Sequence, residues 1–129
     1  SYSQPAGLAW VWPTNGEVVS GYQGRTTGRS GIQIAGVAGQ DIYAAEAGTV
    51  VYSGSGLKGY KEMIIIEHPG NYLTAYAYNE RRFVMENERV TRGQKIAEMG
   101  SNDGKKNVLL FELRHKGKPV NPMTYLPSS

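Results

Sequence analysis

Cysteine is absent from the 129 residues of this chain, and histidine occurs only as His68 and His115. Without cysteine the chain can form no disulfide bond, no thiolate-bound zinc or iron–sulfur site and no cysteine nucleophile. Two histidines are too few for an enzyme that relies on imidazole ligands, because catalytic zinc usually takes three protein ligands in which histidine predominates. The composition therefore argues against most of the metal and thiol chemistry that small enzymes use.

Long apolar runs and a strong net charge are also missing. No apolar stretch approaches the roughly 20 residues of a membrane-spanning helix, so we expect no transmembrane segment in this chain. The net charge of +3 is concentrated near the C-terminus, where Lys105–Lys118 holds five Lys or Arg and one Glu. We interpret this run as solvated turns and strand ends. It lacks a recognisable binding motif with interleaved aromatic residues, so no nucleic-acid partner is expected.

Glycine and proline, by contrast, are frequent, with 17 and 6 residues that separate short apolar runs. This spacing is typical of an all-β domain. The clearest predicted strands are Thr49–Ser53, Met63–His68, Tyr72–Tyr78 and Val108–Arg114. The second and third are expected to form a hairpin through Pro69-Gly70-Asn71.

Two further features of these segments carry predictions. The unbroken run Ile64–Ile66 indicates a strand that is covered on both faces. The segment Glu80–Thr91 has no sustained apolar period, and we predict a loop with a short strand around Val84, with a helical turn as the lesser option. Two Gly-Gln pairs, at Gly39 and Gly93, each precede an apolar strand start and indicate two similar β-turns.

The order of short motifs along the chain resembles the LytM-like (lysostaphin, M23) peptidase domain. The resemblance runs from about Trp12 to Pro127. It implies an all-β fold, an open antiparallel β-sandwich of the duplicated hybrid motif-like type with a long surface groove. Residues 1–129 are then a single degenerate LytM-like domain in which residues 1–11 are a linker tail. The motifs are Gly31–Ile34, Gly39–Ala45, Gly48–Gly54, Gly59-Tyr60, Ile64–His68, Thr74–Tyr78, Gly93–Ala97, Phe111–Arg114 and Gly117–Pro122.

The family's zinc ligands and catalytic histidines are replaced in this chain. The resemblance places Arg29 and Gln33 at the first His and Asp ligands, and Val108-Leu109-Leu110 at the His-x-His motif. Tyr78 stands where the family's Tyr-Ala-His ends in histidine. A permanent cation, a neutral amide and aliphatic side chains are poor zinc ligands or none. We therefore expect no metal, no cofactor and no enzymatic activity.

Neither histidine suggests a replacement for the lost site. His68 lies at a strand end and His115 precedes a turn, so we interpret both as structural residues bonded to backbone or solvent. The carboxylates show no spacing that pairs them with a histidine or serine. A hydrolase with an unorthodox site is therefore the least favoured of the three functions that we consider for this chain.

A LytM domain without its zinc resembles the murein amidase activators of the NlpD and EnvC type. This resemblance implies a non-enzymatic activator of bacterial cell-wall N-acetylmuramoyl-L-alanine amidases in septal peptidoglycan splitting and cell separation. It further implies that the vacated groove binds the amidase's autoinhibitory helix. The location would be the periplasm or cell envelope of a Gram-negative bacterium, with an anchor in a preceding region left open. The alternative is a peptidoglycan-binding module that does not cut its ligand.

The same resemblance places the groove on particular residues. Side chains two apart on a strand share a face, so Val108, Leu110, Glu112 and Arg114 should line it together. Leu110 would fill an apolar pocket against the partner helix, and Arg114 would pair with a carboxylate there. Gly59-Tyr60 should mark a tight approach to the groove, and Asn121-Pro122 should close the C-terminal turn. The predicted groove residues are Arg29, Gln33, Tyr60, Met63, Tyr78, Val108, Leu110 and Arg114.

Overall fold

Short strands joined by tight turns make up almost all of the regular structure. The structure, a computed structural model, describes residues 8–24 and 30–128. No helix in this part of the chain has the length and apolar character needed to cross a bilayer. Within it there are ten strands and one 3₁₀ helix: β1 (Val18–Ser20), β2 (Ile32–Ala35), β3 (Asp41–Tyr43), β4 (Gly48–Gly54), β5 (Glu62–His68), β6 (Tyr72–Arg82), β7 (Arg89–Val90), β8 (Lys95–Met99), β9 (Val108–His115), β10 (Lys118–Val120) and the 3₁₀ helix Pro122–Thr124.

All strand pairs in this part of the chain are antiparallel, in the spatial order β1-β2-β9-β6-β5-β4-β7. Strand β10 follows β9 and pairs with it, and β3 pairs with β8. The long strand β6 joins the two parts of the sandwich, because its first residues pair with β9 and its last residues, from Asn79 to Arg82, pair with β8. The chain therefore folds as an open antiparallel β-sandwich, which confirms the predicted fold class.

The hydrophobic core lies between these two parts. Alternate residues of β9, namely Leu109, Phe111 and Leu113, are at most 1% exposed and point into it. Ile42 of β3 and Ile96 of β8 complete the same buried cluster from the other side. Burying such side chains contributes about 25 cal/mol for each Å² of apolar surface removed from water, so this cluster is the main stabilising element.

The opposite face of the central strands carries a second, smaller apolar cluster. Met63 and Ala77 are buried there, and Ile65 and Leu110 pack against them. Ile64 and Ile66 point into the main core while Ile65 faces this cluster. The prediction that the isoleucine run is covered on both faces is thus confirmed.

The four strands predicted from sequence lie within β4, β5, β6 and β9, and the hairpin joins β5 to β6 as expected. Gly70 and Asn71 in its turn both adopt positive φ, of 83° and 66°. The short strand predicted around Val84 is wrong. Strand β6 continues to Arg82 instead, because backbone pairing with β8 and the bond from Arg82 Nε to Glu62 Oε1 (2.6 Å) accommodate charged side chains.

The N-terminal boundary of the fold also needs correction. Residues 1–7 lie outside the described part of the chain, but Leu8 and Trp10 pack against the core, and the Val11 N–H donates to the Ala45 carbonyl at 2.9 Å, so this segment is not a linker tail. Trp10 is 4% exposed, and its ring lies edge-on to His68, Tyr72 and Tyr125. The sequence pattern does not distinguish a buried Trp10 from a tryptophan in an exposed polar tail, because the residues that bury its indole are distant in the chain.

Candidate functional site

The candidate site is the face of β9 that points away from the core. Leu110, Glu112 and Arg114 alternate with the core residues of this strand, as the two-residue period requires. Their partners on β6 are Ala77, Ala75 and Leu73. Two clefts open along this face.

The first cleft, which we call the polar cleft, has a volume of about 500 Å³. It lies at the end of the face nearest β2 and the 101–107 loop. Its lining combines hydroxyl, amide and charged groups with two tyrosines and one leucine: Val19, Ser20, Ser30, Gly31, Gln33, Tyr60, Tyr78, Asn102, Lys105, Lys106, Leu110 and Glu112.

The second cleft, the apolar cleft, has a volume of about 340 Å³ and adjoins the first. Tyr60 and Glu112 line both clefts and so mark the boundary between them. The remaining lining is almost entirely hydrophobic apart from one arginine: Leu57, Met63, Ile65, Leu73, Ala75 and Arg114. Together the two clefts form one groove, polar at one end and apolar at the other.

Tyr60 and Tyr78 both line the polar cleft, and a backbone hydrogen bond joins them. The backbone N–H of Tyr78 donates to the Tyr60 carbonyl at 2.9 Å, beside an irregularity in the β5–β6 pairing. Tyr78 has a φ of 70°, a left-handed conformation that is uncommon for residues other than glycine. Burial raises the pKa of the Tyr78 hydroxyl, and the neighbouring Tyr60, Asp103 and Glu112 raise it further. This tyrosine is therefore a neutral hydrogen-bonding group at ordinary pH.

Glu112 and Arg114 form an ion pair within the groove, with Nη2 and Oε1 3.2 Å apart. The side chain of Glu112 is 11% exposed and that of Arg114 is 40% exposed. Gly31, immediately before β2, lies directly against this pair, since a Cβ there would come within 2.7 Å of the Glu112 side chain and 2.6 Å of the Phe111 carbonyl oxygen. The arginine predicted to meet a partner's carboxylate is thus already matched by one from its own strand.

Most of the predicted groove residues come together on this face. Gln33, Tyr60, Tyr78 and Leu110 line the polar cleft, and Met63 and Arg114 line the apolar cleft. Arg29 lies outside the described residues. The prediction for Val108 is wrong, because its side chain is 0% exposed and lines neither cleft. Val108 opens β9 directly after Asn107, whose bridge to Ser101 folds the preceding loop over this end of the strand.

Two motifs were expected beside the groove, Gly59-Tyr60 and Asn121-Pro122, and the structure agrees in full with the expectation for the second only. Asn121 caps the 3₁₀ helix, with Oδ1 accepting from the Met123 N–H at 3.0 Å, and Pro122 is buried as the predicted C-terminal turn requires. Gly59, however, makes no close approach, because a Cβ at this position would meet open space. Its φ of 90° is the reason for glycine there, and it lets the chain turn so that Tyr60 reaches the groove.

Lys105 and Lys106 are groove residues that sequence reasoning missed, since the basic C-terminal run was interpreted as solvated surface. Their loop is closed by the Ser101–Asn107 bridge and by Asn102, whose Oδ1 accepts from the Lys106 N–H at 2.9 Å. The excess of positive charge was visible in the sequence. Which of its five cations face the groove depends on this loop closure, which the sequence pattern does not reveal.

The residues of the groove do not fit zinc. Gln33 offers a neutral amide and Leu110 offers no lone pair, and in the described part of the chain no three His, Asp or Glu side chains are placed to hold a metal ion. Both histidines are engaged elsewhere. His115 stacks on Tyr72 with ring centroids 4.0 Å apart. His68 is buried, with Nδ1 2.8 Å from the Ala47 carbonyl oxygen and Nε2 2.7 Å from the Thr74 hydroxyl, which confirms its predicted bond to the backbone.

Comparison with known proteins agrees with this geometry. The model of peptidase family M23 matches residues 27–122. A zinc containing peptidase from Vibrio cholerae superposes with a TM-score of 0.79 and 27% sequence identity, over 90% of this chain and 40% of that one. The shared fold therefore extends over nearly the whole chain.

Two curated relatives are more similar in sequence. The murein hydrolase activator NlpD of Escherichia coli is 49% identical over 118 residues, which is 92% of this chain and 31% of that protein. A lipoprotein NlpD/LppB homolog of Pseudomonas aeruginosa is 47% identical over 123 residues, or 95% of this chain and 41% of that protein. The chain thus spans less than half the length of either relative.

Proposed function

This chain belongs to peptidase family M23, and we propose that it activates a bacterial cell-wall N-acetylmuramoyl-L-alanine amidase and does not itself cut peptidoglycan. Two findings support the proposal. The resemblance places Arg29, Gln33 and Leu110 at the family's zinc-ligand positions, and none of these side chains replaces a histidine or carboxylate ligand. A relative that is 49% identical is named a murein hydrolase activator.

The single observation that carries the proposal is the apolar surface that Leu110 forms with its neighbours, at a position where the family resemblance places a zinc-binding histidine. Leu110 lines the polar cleft and packs against the small apolar cluster that contains Met63 and Ile65, and Tyr60 lines both clefts. Tyrosine and methionine are enriched in protein-binding surfaces, and an amphipathic helix laid in a hydrophobic groove is a common recognition mode. We infer that the groove receives the autoinhibitory helix of the amidase.

Such binding would activate by shifting a population. An amidase whose helix blocks its own active site exists mainly in the closed state, and a groove that binds only the displaced helix stabilises the open state. Moving this equilibrium from 1:99 to 99:1 requires about 5.5 kcal/mol of discrimination between the two states. Truncating a central anchor of an interface commonly costs about 2 kcal/mol or more in binding, so a groove with a few such anchors can supply discrimination of this order. The setting would be septal peptidoglycan splitting in the envelope of a Gram-negative bacterium.

The test is a dye-release assay on labelled sacculi with a purified amidase and variants of this chain. Leu110→Glu should abolish stimulation, because it places a carboxylate among the apolar side chains that would meet the helix. Leu110 is partly exposed, so the variant should remain folded, as circular dichroism would verify.

Met85→Glu is the matched control. It makes the same change from an apolar to an acidic side chain at a residue that is 73% exposed and lines neither cleft. Stimulation should be unchanged in this variant. Folded Leu110→Glu that stimulates as well as the parent would show that the groove is not the activating surface.

The second candidate is a peptidoglycan-binding module, and the polar cleft favours it. Lys105, Lys106 and Asn102 could meet the carboxylates of stem peptides. A pull-down of amidase against purified sacculi separates the two functions. Retention of sacculi without amidase would support the binding module.

A further inference from the structure

We propose that the groove binds its helix in one direction, with an acidic side chain of that helix held between Lys105 and Lys106 and its apolar stripe in the apolar cleft. This inference rests on the proposed function and specifies the chemistry of the partner. It follows from how charge is distributed along the groove.

The cations of the two clefts differ in whether a carboxylate accompanies them. Arg114 is paired with Glu112 at 3.2 Å, so this end of the groove is close to neutral. Among the described residues, neither the Lys105 nor the Lys106 ammonium has a carboxylate within 4 Å. Lys61 on the facing loop adds a further cation, which donates to Ser101 Oγ at 3.2 Å. The unmatched positive charge is therefore at the polar end.

The acidic groups near the polar cleft are Asp103 on the same loop and Glu112 at the boundary. Glu112 is engaged with Arg114, so this neutral pair offers a second carboxylate little net attraction. An acidic residue of the partner would thus be directed away from the centre of the groove and toward Lys105 and Lys106.

The apolar cleft offers the complementary half of the recognition. Met63 and Ala75 are at most 8% exposed, and their partly buried neighbours Ile65 and Leu73 complete an apolar floor. Side chains spaced i, i+3, i+4 and i+7 on a helix lie along one stripe. A helix whose stripe ends in Asp or Glu can therefore meet the apolar floor and the two lysines at once, but only in one orientation. Reversal would set its carboxylate against the neutral pair and its apolar end against two ammonium groups.

The experiment compares Lys105→Gln/Lys106→Gln with Arg89→Gln/Lys118→Gln. Both double variants remove two positive charges from exposed residues, but Arg89 and Lys118 line neither cleft. The measured quantity is the concentration of the chain that half-maximally stimulates a purified Gram-negative amidase on labelled sacculi, at 50 and 300 mM NaCl. At low salt we expect about a tenfold increase for the first variant, with an unchanged plateau and a weaker salt dependence. The control variant should stay within about twofold of the parent.

A charge-swap arm identifies the carboxylate. Lys105→Glu/Lys106→Glu should be rescued by one amidase variant in which a single Asp or Glu of the inhibitory helix is changed to Lys. Rescue would support the proposal. If the parent stimulates while Lys105→Gln/Lys106→Gln matches it, or if no helix variant rescues and sacculus binding is lost instead, this inference is overturned and the proposed function stands. A parent chain that stimulates no amidase would refute the proposed function itself.

Discussion

Single residues shape the groove through contacts that leave no spare room. At Gly31 a Cβ would come within 2.6 Å of the Phe111 carbonyl oxygen, which belongs to the paired strand and cannot move independently. We expect Gly31→Ala to push β2 away from β9 and to lower the free energy of unfolding by about 1–3 kcal/mol, the usual cost of overpacking. Urea denaturation followed by circular dichroism would measure the change.

Gly21→Ala is the appropriate comparison. No atom lies within 4 Å of a Cβ built at Gly21, so its effect should stay within about 0.5 kcal/mol. Equal midpoints for the two variants would mean that β2 can shift at no cost and that the close contact between Gly31 and β9 does not fix its position.

Whole segments of chain depend on partners that are distant in sequence, and the N-terminal segment is the clearest example. Trp10 lies against His68, Tyr72 and Tyr125, whereas Trp12 is only partly buried and donates from its indole N–H to the Pro127 carbonyl at 2.9 Å. We expect Trp10→Ala to cost about 3–5 kcal/mol of stability, as is usual for a fully buried large aromatic residue. Trp12→Ala also removes an indole side chain, but from a partly exposed position, and should lower the free energy of unfolding clearly less. Chemical denaturation of both variants tests this, and equal losses would contradict the assignment of Trp10 to the core.

The two Gly-Gln turns show the opposite situation, in which an element is determined locally. Gly39 and Gly93 have φ values of 82° and 81°. In each turn the glutamine side chain accepts from a backbone N–H three residues earlier, that of Val37 or of Thr91. All groups involved lie within four residues, so the sequence was sufficient to predict two similar turns.

At the scale of the whole molecule, a buried hydrogen-bonded chain joins separate strands and should make stability depend on pH. The Ala47 carbonyl can only accept, so His68 Nδ1 carries a proton and Nε2 accepts from Thr74. Thr74 in turn contacts the Tyr76 hydroxyl at 2.7 Å. A second proton on His68 would disturb this arrangement in a buried site. Burial lowers the pKa of His68 from 6.5 and outweighs the opposite effects of the Ala47 bond and of Glu46.

The sign of the pH effect follows from this direction. The pKa of His68 is lower in the folded chain than the 6.5 expected of the unfolded chain. At a pH between these two pKa values the unfolded chain binds more protons, so stability decreases as the pH falls below 6.5. We expect the urea midpoint of the parent to decrease between pH 7.5 and 5.5, and that of His68→Gln to decrease less. The comparison uses the difference between the two pH values, so a general loss of stability in the variant does not affect it. An equal decrease in both proteins would assign the effect to other groups.

Glu46 acts in a separate and lower pH range. Burial alone would raise the pKa of its carboxyl, but the N–H groups of Ala9 and Ala47 and the guanidinium of Arg92 together lower it below 4.5. Its contribution is therefore present above about pH 4.5 and is lost as the pH falls through the lowered pKa. The two windows allow the two effects to be distinguished in one titration.

The sequence by itself determined the elements whose causes are local or periodic. The strands around Ile64–Ile66 and Val108–Arg114, the Gly70-Asn71 turn and the alternation that sets Leu110 and Arg114 on one face all follow from residue type and a two-residue period. The sequence also predicts the loss of zinc chemistry, because the family resemblance places an amide and a leucine at ligand positions.

Only the tertiary structure decided which side chains share the groove and which are covered. Val108 has the correct period for the groove but is buried at the start of β9, and Lys105 and Lys106 reach the cleft because a loop closes beneath them. Glu112 neutralises the arginine that the sequence offered as an anchor. In each case the outcome depends on contacts between segments that the period of one strand does not encode, since burial and charge pairing arise only when those segments meet in space.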